Sequence, residues 1–171
     1  MLIRTYLKIQ GKRIVDLEHV SLNPSEYFVD ITHGDILNKV GDLKDPNYVE
    51  GAISIVIDNS HVIDFTNWDY VDQIWAYFLN ALEDLLSTGS GEFFFPDQPL
   101  HISMEAIENQ QIRFIVGQNS KQMDICEFVS VLVDAAESFF RIMEKEYEGI
   151  VEYPEELSQV SRIRSQIMQT T

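Results

Sequence analysis

The chain has 171 residues, and its 28 Asp and Glu against 12 Lys and Arg leave a formal charge of −16 and an isoelectric point near 4.4. Nucleic acids and anionic membranes are bound through clustered Lys and Arg, so both classes of partner are disfavoured. The length suits one domain, and 45% apolar and 11% aromatic residues supply a core, so a single globular domain over residues 1–171 is expected.

A lone cysteine, Cys126, forms no internal disulfide, and no window approaches the length of a membrane span. Met1 to Lys8 is too charged for a signal peptide, so the chain reads as mature from residue 1 and as cytoplasmic.

In chain order, Ile3, Thr5, Leu7 and Ile9 alternate with polar or amphipathic residues as in a strand with one buried face. A turn at Gln10-Gly11-Lys12 predicts Ile14 to Val20 as its hairpin partner. Asn23-Pro24-Ser25 breaks the chain, and Tyr27, Val29 and Ile31 alternate again. Residues 32–47, interrupted by Gly34, Gly41 and Pro46, read as an irregular loop. Two strands follow around Asp58-Asn59-Ser60, with Ile53, Ile55 and Ile57 facing the core.

Val71, Ile74, Trp75, Phe78, Leu79, Leu82, Leu85 and Leu86 make a helical stripe of 3.6-residue period, with Asp69 and Asp72 at its start and Gly89 past its end. Strands over 93–95, 100–104, 112–116 and 123–125, separated by turn residues, predict an antiparallel meander. A second helix is expected over about Glu127 to Tyr147 and a third, shorter one from Pro154, with a frayed tail over 169–171. This order predicts an α+β fold: a largely antiparallel sheet packed against two long helices and a shorter C-terminal helix.

Chemistry is sparse. The four histidines, His19, His33, His61 and His101, form no metal signature, and no cofactor motif is present, so no metal and no cofactor are expected. Asp58-x2-His61-x2-Asp64 reads as a polar hairpin. Cys126 reads as a small buried apolar residue ending a strand, and Gly89-Ser90-Gly91 as a helix stop. The absence of local catalytic motifs favours a non-catalytic protein.

Charge is unevenly placed. From Asp45 to Ile112 there is no Lys or Arg, while these 68 residues carry 12 carboxylates, and nine aromatics fall within residues 65–95. An acidic surface interleaved with Trp and Tyr suits a basic protein partner: charge speeds encounter and a few aromatics supply affinity. In kind only, such a chain resembles intracellular inhibitors, in particular immunity proteins that neutralise basic toxins. On that reading the partner-binding residues are Trp68, Asp69, Tyr70 and Asp72 at the first helix, with Asp97 and Asp58 as neighbours. The alternative is a small hydrolase or ligand-binding domain with a polar site near the 32–47 loop, using His33, Asp35 or His61.

Overall fold

The computed structural model describes residues 1–34, 36–43 and 45–170. The chain runs β1 (Leu2–Lys8), α1 (Leu17–Leu22), β2 (Phe28–Asp30), α2 (Ile36–Val40), β3 (Glu50–Ile57), β4 (Ser60–Ile63), β5 (Asp69–Tyr70), α3 (Val71–Thr88), β6 (Ser90–Phe94), β7 (His101–Ile107), β8 (Gln111–Val116), β9 (Asn119–Asp124), α4 (Ile125–Glu146) and α5 (Pro154–Thr170). The fold is α+β and all strand pairs are antiparallel. The strands divide between two sheets rather than forming one. The first has the order β2-β1-β3-β4 with β5 also paired to β3, and the second is the meander β6-β7-β8-β9.

Local chemistry explains the turns. Between β3 and β4 the two-residue loop Asp58-Asn59 has φ of 51° and 60°, the left-handed pair that the inward twist of a tight hairpin requires and that Asp and Asn tolerate. The second sheet folds back at Asn109-Gln110, also left-handed, and at Gly117. Gly89 ends α3 at φ 88°, its N–H bonded to the Leu85 carbonyl.

One expected element is overturned. Residues 14–20 are not a hairpin partner of β1: Asp16 caps a helix instead, its side chain accepting the N–H groups of Glu18 and His19. The partners of β1 come from further away, Tyr6 facing Asp30 on β2 and Ala52 on β3. Within 32–47 the chain makes the short helix α2. Cys126 stands in the first turn of α4 and is half-buried, so it neither ends a strand nor is fully enclosed. The expected tail over 169–171 is helical as far as Thr170; Thr171 lies outside the described residues.

A continuous core joins both sheets through the long helices. Leu7, Ile53 and Ile55 of the first sheet, Ile102, Met104, Ile112 and Phe114 of the second, and Trp75, Phe78, Phe128, Leu132 and Phe139 of α3 and α4 belong to the same buried cluster. Gly91 sets the distance between β6 and α3: a Cβ there would stand 2.0 Å from the Ala81 carbonyl oxygen. α5 latches the two long helices. Its Arg162 pairs with Glu83 of α3 at 3.0 Å, Gln159 donates to Asn80 and Glu83, and Arg164 pairs with Asp134 and Glu137 of α4. Partial burial raises the Glu137 carboxyl, but hydrogen bonds from Arg141 and Arg164 outweigh it and hold the group below the usual carboxylate range.

The two sheets are covered differently. The inner face of the first packs on the main core, while its outer face carries a small second core of Val20, Phe28 and Ala52, with Tyr6, Phe65 and Trp68 packed against it. Hence β3 is buried on both faces, whereas β8 alternates buried and half-exposed residues and β9 has none buried.

Candidate functional site

The beginning of β3 and the entry to α3 meet in a short ladder, Glu50 opposite Tyr70 and Gly51 opposite Asp69. This two-residue strand brings together the side chains that the sequence places at the start of the helix. Trp68 and Tyr70 are half-exposed, and Tyr48, 52% exposed, meets Tyr70 edge to face with ring centroids 5.1 Å apart. Lys8 Nζ stands 5.0 Å from the centre of the Trp68 ring and donates to Glu50 Oε1 at 2.7 Å, fixing the indole against the sheet. Glu50, Trp68, Asp69, Tyr70, Asp97 and Gln98 line a hollow of about 250 Å³. A neighbouring groove of about 370 Å³ shares Trp68 and Glu50 and adds Tyr48, Asp42, Lys12 and Arg13.

Two of the carboxylates expected on this face are interior. Asp69 is 3% exposed; its Oδ1 accepts the Tyr70 N–H at 2.8 Å and its Oδ2 the Asp97 N–H at 2.9 Å. Asp72 is 7% exposed and its Oδ1 accepts the Val49 N–H at 3.0 Å. Burial raises both carboxyls above their ordinary range, against the backbone N–H groups that hold them down. They brace the loops beneath the aromatic patch and offer no charge at its surface.

Asp97 does border the patch and is exposed. Burial of the Tyr70 phenol and the adjacent Asp97 carboxylate push that phenol above its usual value. Asp58 does not border it. The residue lies at the far end of β3, seven residues from Gly51, or roughly 23 Å of extended chain, and pairs with Lys121 of β9 at 3.7 Å. Tyr48, Glu50 and Gln98, whose side chain donates to the Trp68 carbonyl, were not readable from the sequence, because a ladder of two residues leaves no periodic signal.

The acidic stretch is also less uniform than its one-dimensional count. Glu50, Asp58, Glu83 and Glu105 pair with Lys8, Lys121, Arg162 and Arg113, cations drawn from outside residues 45–112. Glu92 meets His101 at 3.0 Å, and Asp64 is occupied in capping the turn at Phe65–Asn67. Asp45, Asp84, Asp97 and Glu108 keep their charge exposed and without an ion pair among the described residues.

The residues of the alternative polar site are not gathered in one place. His61 lies on β4 with its ring nitrogen 3.4 Å from Ser54 Oγ, while His33 lines a separate cavity on the outer face of the first sheet. Asp35 lies outside the described residues. Among the described residues no three His, Cys, Asp or Glu side chains converge as metal ligands, and no helix is long and apolar enough to cross a membrane.

Comparison with protein-family models, with curated proteins and with solved structures found no match for this chain. The functional reading therefore rests on the arrangement of its own residues.

Proposed function

We propose that the chain is a non-catalytic protein-binding domain that docks a basic partner, in the manner of an acidic inhibitor or immunity-type protein. The observation that supports this most directly is the patch of Tyr48, Trp68 and Tyr70. Three amphipathic rings stand side by side and open to solvent, held from below by Asp69 and Asp72 and flanked by Glu50 and Asp97. Tyr and Trp dominate the energetics of protein interfaces because they bury large rigid areas and keep a polar tip. Asp97 in the lining and exposed Asp45, whose carbonyl accepts the Tyr48 N–H, would with the net charge behind them steer a cation-rich surface toward those rings.

The test is capture of partners from native lysate at low salt by the wild-type chain, by a Tyr48→Ala/Trp68→Ala variant and by Asp97→Lys. A basic protein retained by the wild type, released by raised salt and lost with both variants is the expected result. A partner bound equally by all three, or no stoichiometric partner at all, would remove the proposal.

A further inference from the structure

The outer face of the first sheet is only partly roofed. α1 has six residues and spans about 9 Å, whereas the seven residues of β1 beneath it span roughly 23 Å. α2, with five residues, turns Ile36 and Val40 into the main core and contributes only Lys39 to this side. Beyond the reach of α1 lies a cavity of about 350 Å³ lined by Tyr6, Phe28 and Phe65, with Ser25, Asp30, His33 and Lys39 among its polar lining.

Its floor is aromatic. Phe65 meets Tyr6 at 4.8 Å edge to face and Phe28 at 5.5 Å, so the three rings form one connected surface. Tyr6 and Phe65 are only half-buried, and the apolar surface they leave uncovered faces this space. The polar lining is unequally engaged. Asp30 has its Oδ1 occupied by the Thr32 N–H at 2.9 Å and the Thr32 O–H at 2.7 Å. Lys39 is exposed, and among the described residues no carboxylate pairs with its ammonium. Among the described residues Arg4, Lys12 and Arg13 are likewise without a carboxylate partner, and Lys39 is the one of these four that lines the aromatic cavity.

From this geometry we infer a binding site for a small aromatic acid, whose ring lies on Tyr6, Phe28 and Phe65 and whose carboxylate meets Lys39. The volume falls in the range of about 300–1,000 Å³ typical of small-ligand pockets, and an apolar wall with few polar groups is their usual composition. The site shares no lining residue with the Tyr48–Trp68–Tyr70 patch, so it stands or falls independently of the docking function.

The probe is 1-naphthoate, compared with uncharged 1-naphthalenemethanol, followed by two-dimensional NMR on the wild type, on Lys39→Ala and on Ser25→Trp. Naphthoate is expected to shift resonances of Tyr6, Phe28, Phe65 and Lys39. Lys39→Ala should weaken naphthoate by about ten-fold, the size of one charged contact, and leave the alcohol unchanged. Ser25→Trp should fill the cavity and abolish both. Both substitutions are at exposed positions, and the spectra themselves report whether the fold is kept. Absence of shifts at millimolar naphthoate, shifts confined to other surfaces, or equal binding of acid and alcohol in the wild type would each overturn the assignment.

Discussion

Asp69 holds the backbone of Asp97: its Oδ2 accepts the Asp97 N–H at 2.9 Å across 28 residues, joining the first sheet to the loop between β6 and β7 of the second. Two carboxylates that look equivalent in the sequence thus have opposite places, one buried and bracing, the other exposed and braced. Asp69→Ala would leave the Tyr70 and Asp97 N–H groups without their acceptor and should cost about 1–3 kcal/mol. Urea unfolding measures it, and a loss below about 0.5 kcal/mol would show that water replaces the carboxylate without penalty.

Burial also sets a pH dependence. The Asp72 carboxyl is raised above its ordinary value near 3.8, so the folded chain binds its proton more readily than the unfolded chain. That contribution is complete below the ordinary value and lost as pH rises through the elevated one, which leaves the burial penalty at full strength at neutral pH. Asp72→Asn should therefore be more stable than the wild type at pH 7, and the gap should close as pH falls. Unfolding free energies taken at intervals from pH 7 to pH 4 decide this; a gap independent of pH would contradict it.

Tyr153 carries a buried hydroxyl that finds no partner among the described residues, and burial pushes its phenol far up. Tyr153→Phe removes an unsatisfied polar atom and keeps the ring contacts with Phe139 and Phe140. Stability should be equal or higher, by up to about 1 kcal/mol. A loss of that size in a thermal melt would mean that the hydroxyl is satisfied in solution.

Gly91 tests the approach of β6 to α3. The Ala81 carbonyl lies where a Cβ would go, and a backbone atom has little freedom to yield. Gly91→Ala should cost about 1–3 kcal/mol by forcing the strand off the helix. Gly89→Ala, where the space is open but φ is 88°, should cost about 1 kcal/mol through backbone strain alone. Equal melting temperatures for the two variants would refute the distinction.

The two tryptophans separate the core from the patch. Trp75 is fully buried with its indole N–H on Thr5 Oγ1 at 3.1 Å, while Trp68 is half-exposed under Lys8. In a Trp75→Phe chain the remaining emission should be red-shifted and quenched by acrylamide, and it should become protected when a partner occupies the patch. Emission as blue and as shielded as that of the wild type would place Trp68 in the interior instead.

Much of the architecture was legible because it repeats. The stripe from Val71 to Leu86 and the alternation of the meander fix α3 and the second sheet through many residues each. The Asp58-Asn59 turn announces itself by side chains that tolerate left-handed backbone. What escaped depends on single distant contacts. The Gln10-Gly11-Lys12 turn points to a hairpin partner over Ile14–Val20, yet the cap at Asp16 makes a helix begin at Leu17. Of the candidate site, Trp68, Tyr70 and Asp97 are brought together as the sequence places them. The burial of Asp69 and Asp72 was illegible, because a carboxylate's exposure depends on which backbone N–H groups the fold aims at it. The charge count along the chain misled in the same way, since Lys8, Lys121 and Arg162 reach the acidic stretch only in three dimensions.

The unequal covering of the two sheets sets an order of local opening. Amides of β3, screened from both sides, should exchange with solvent only through unfolding of most of the molecule, while β9, an edge strand with no buried residue, should exchange first. A partial opening would thus peel the second sheet from its outer strand inward. The ladder that carries Glu50 and Tyr70 would stay intact, and with it the footing of the aromatic patch.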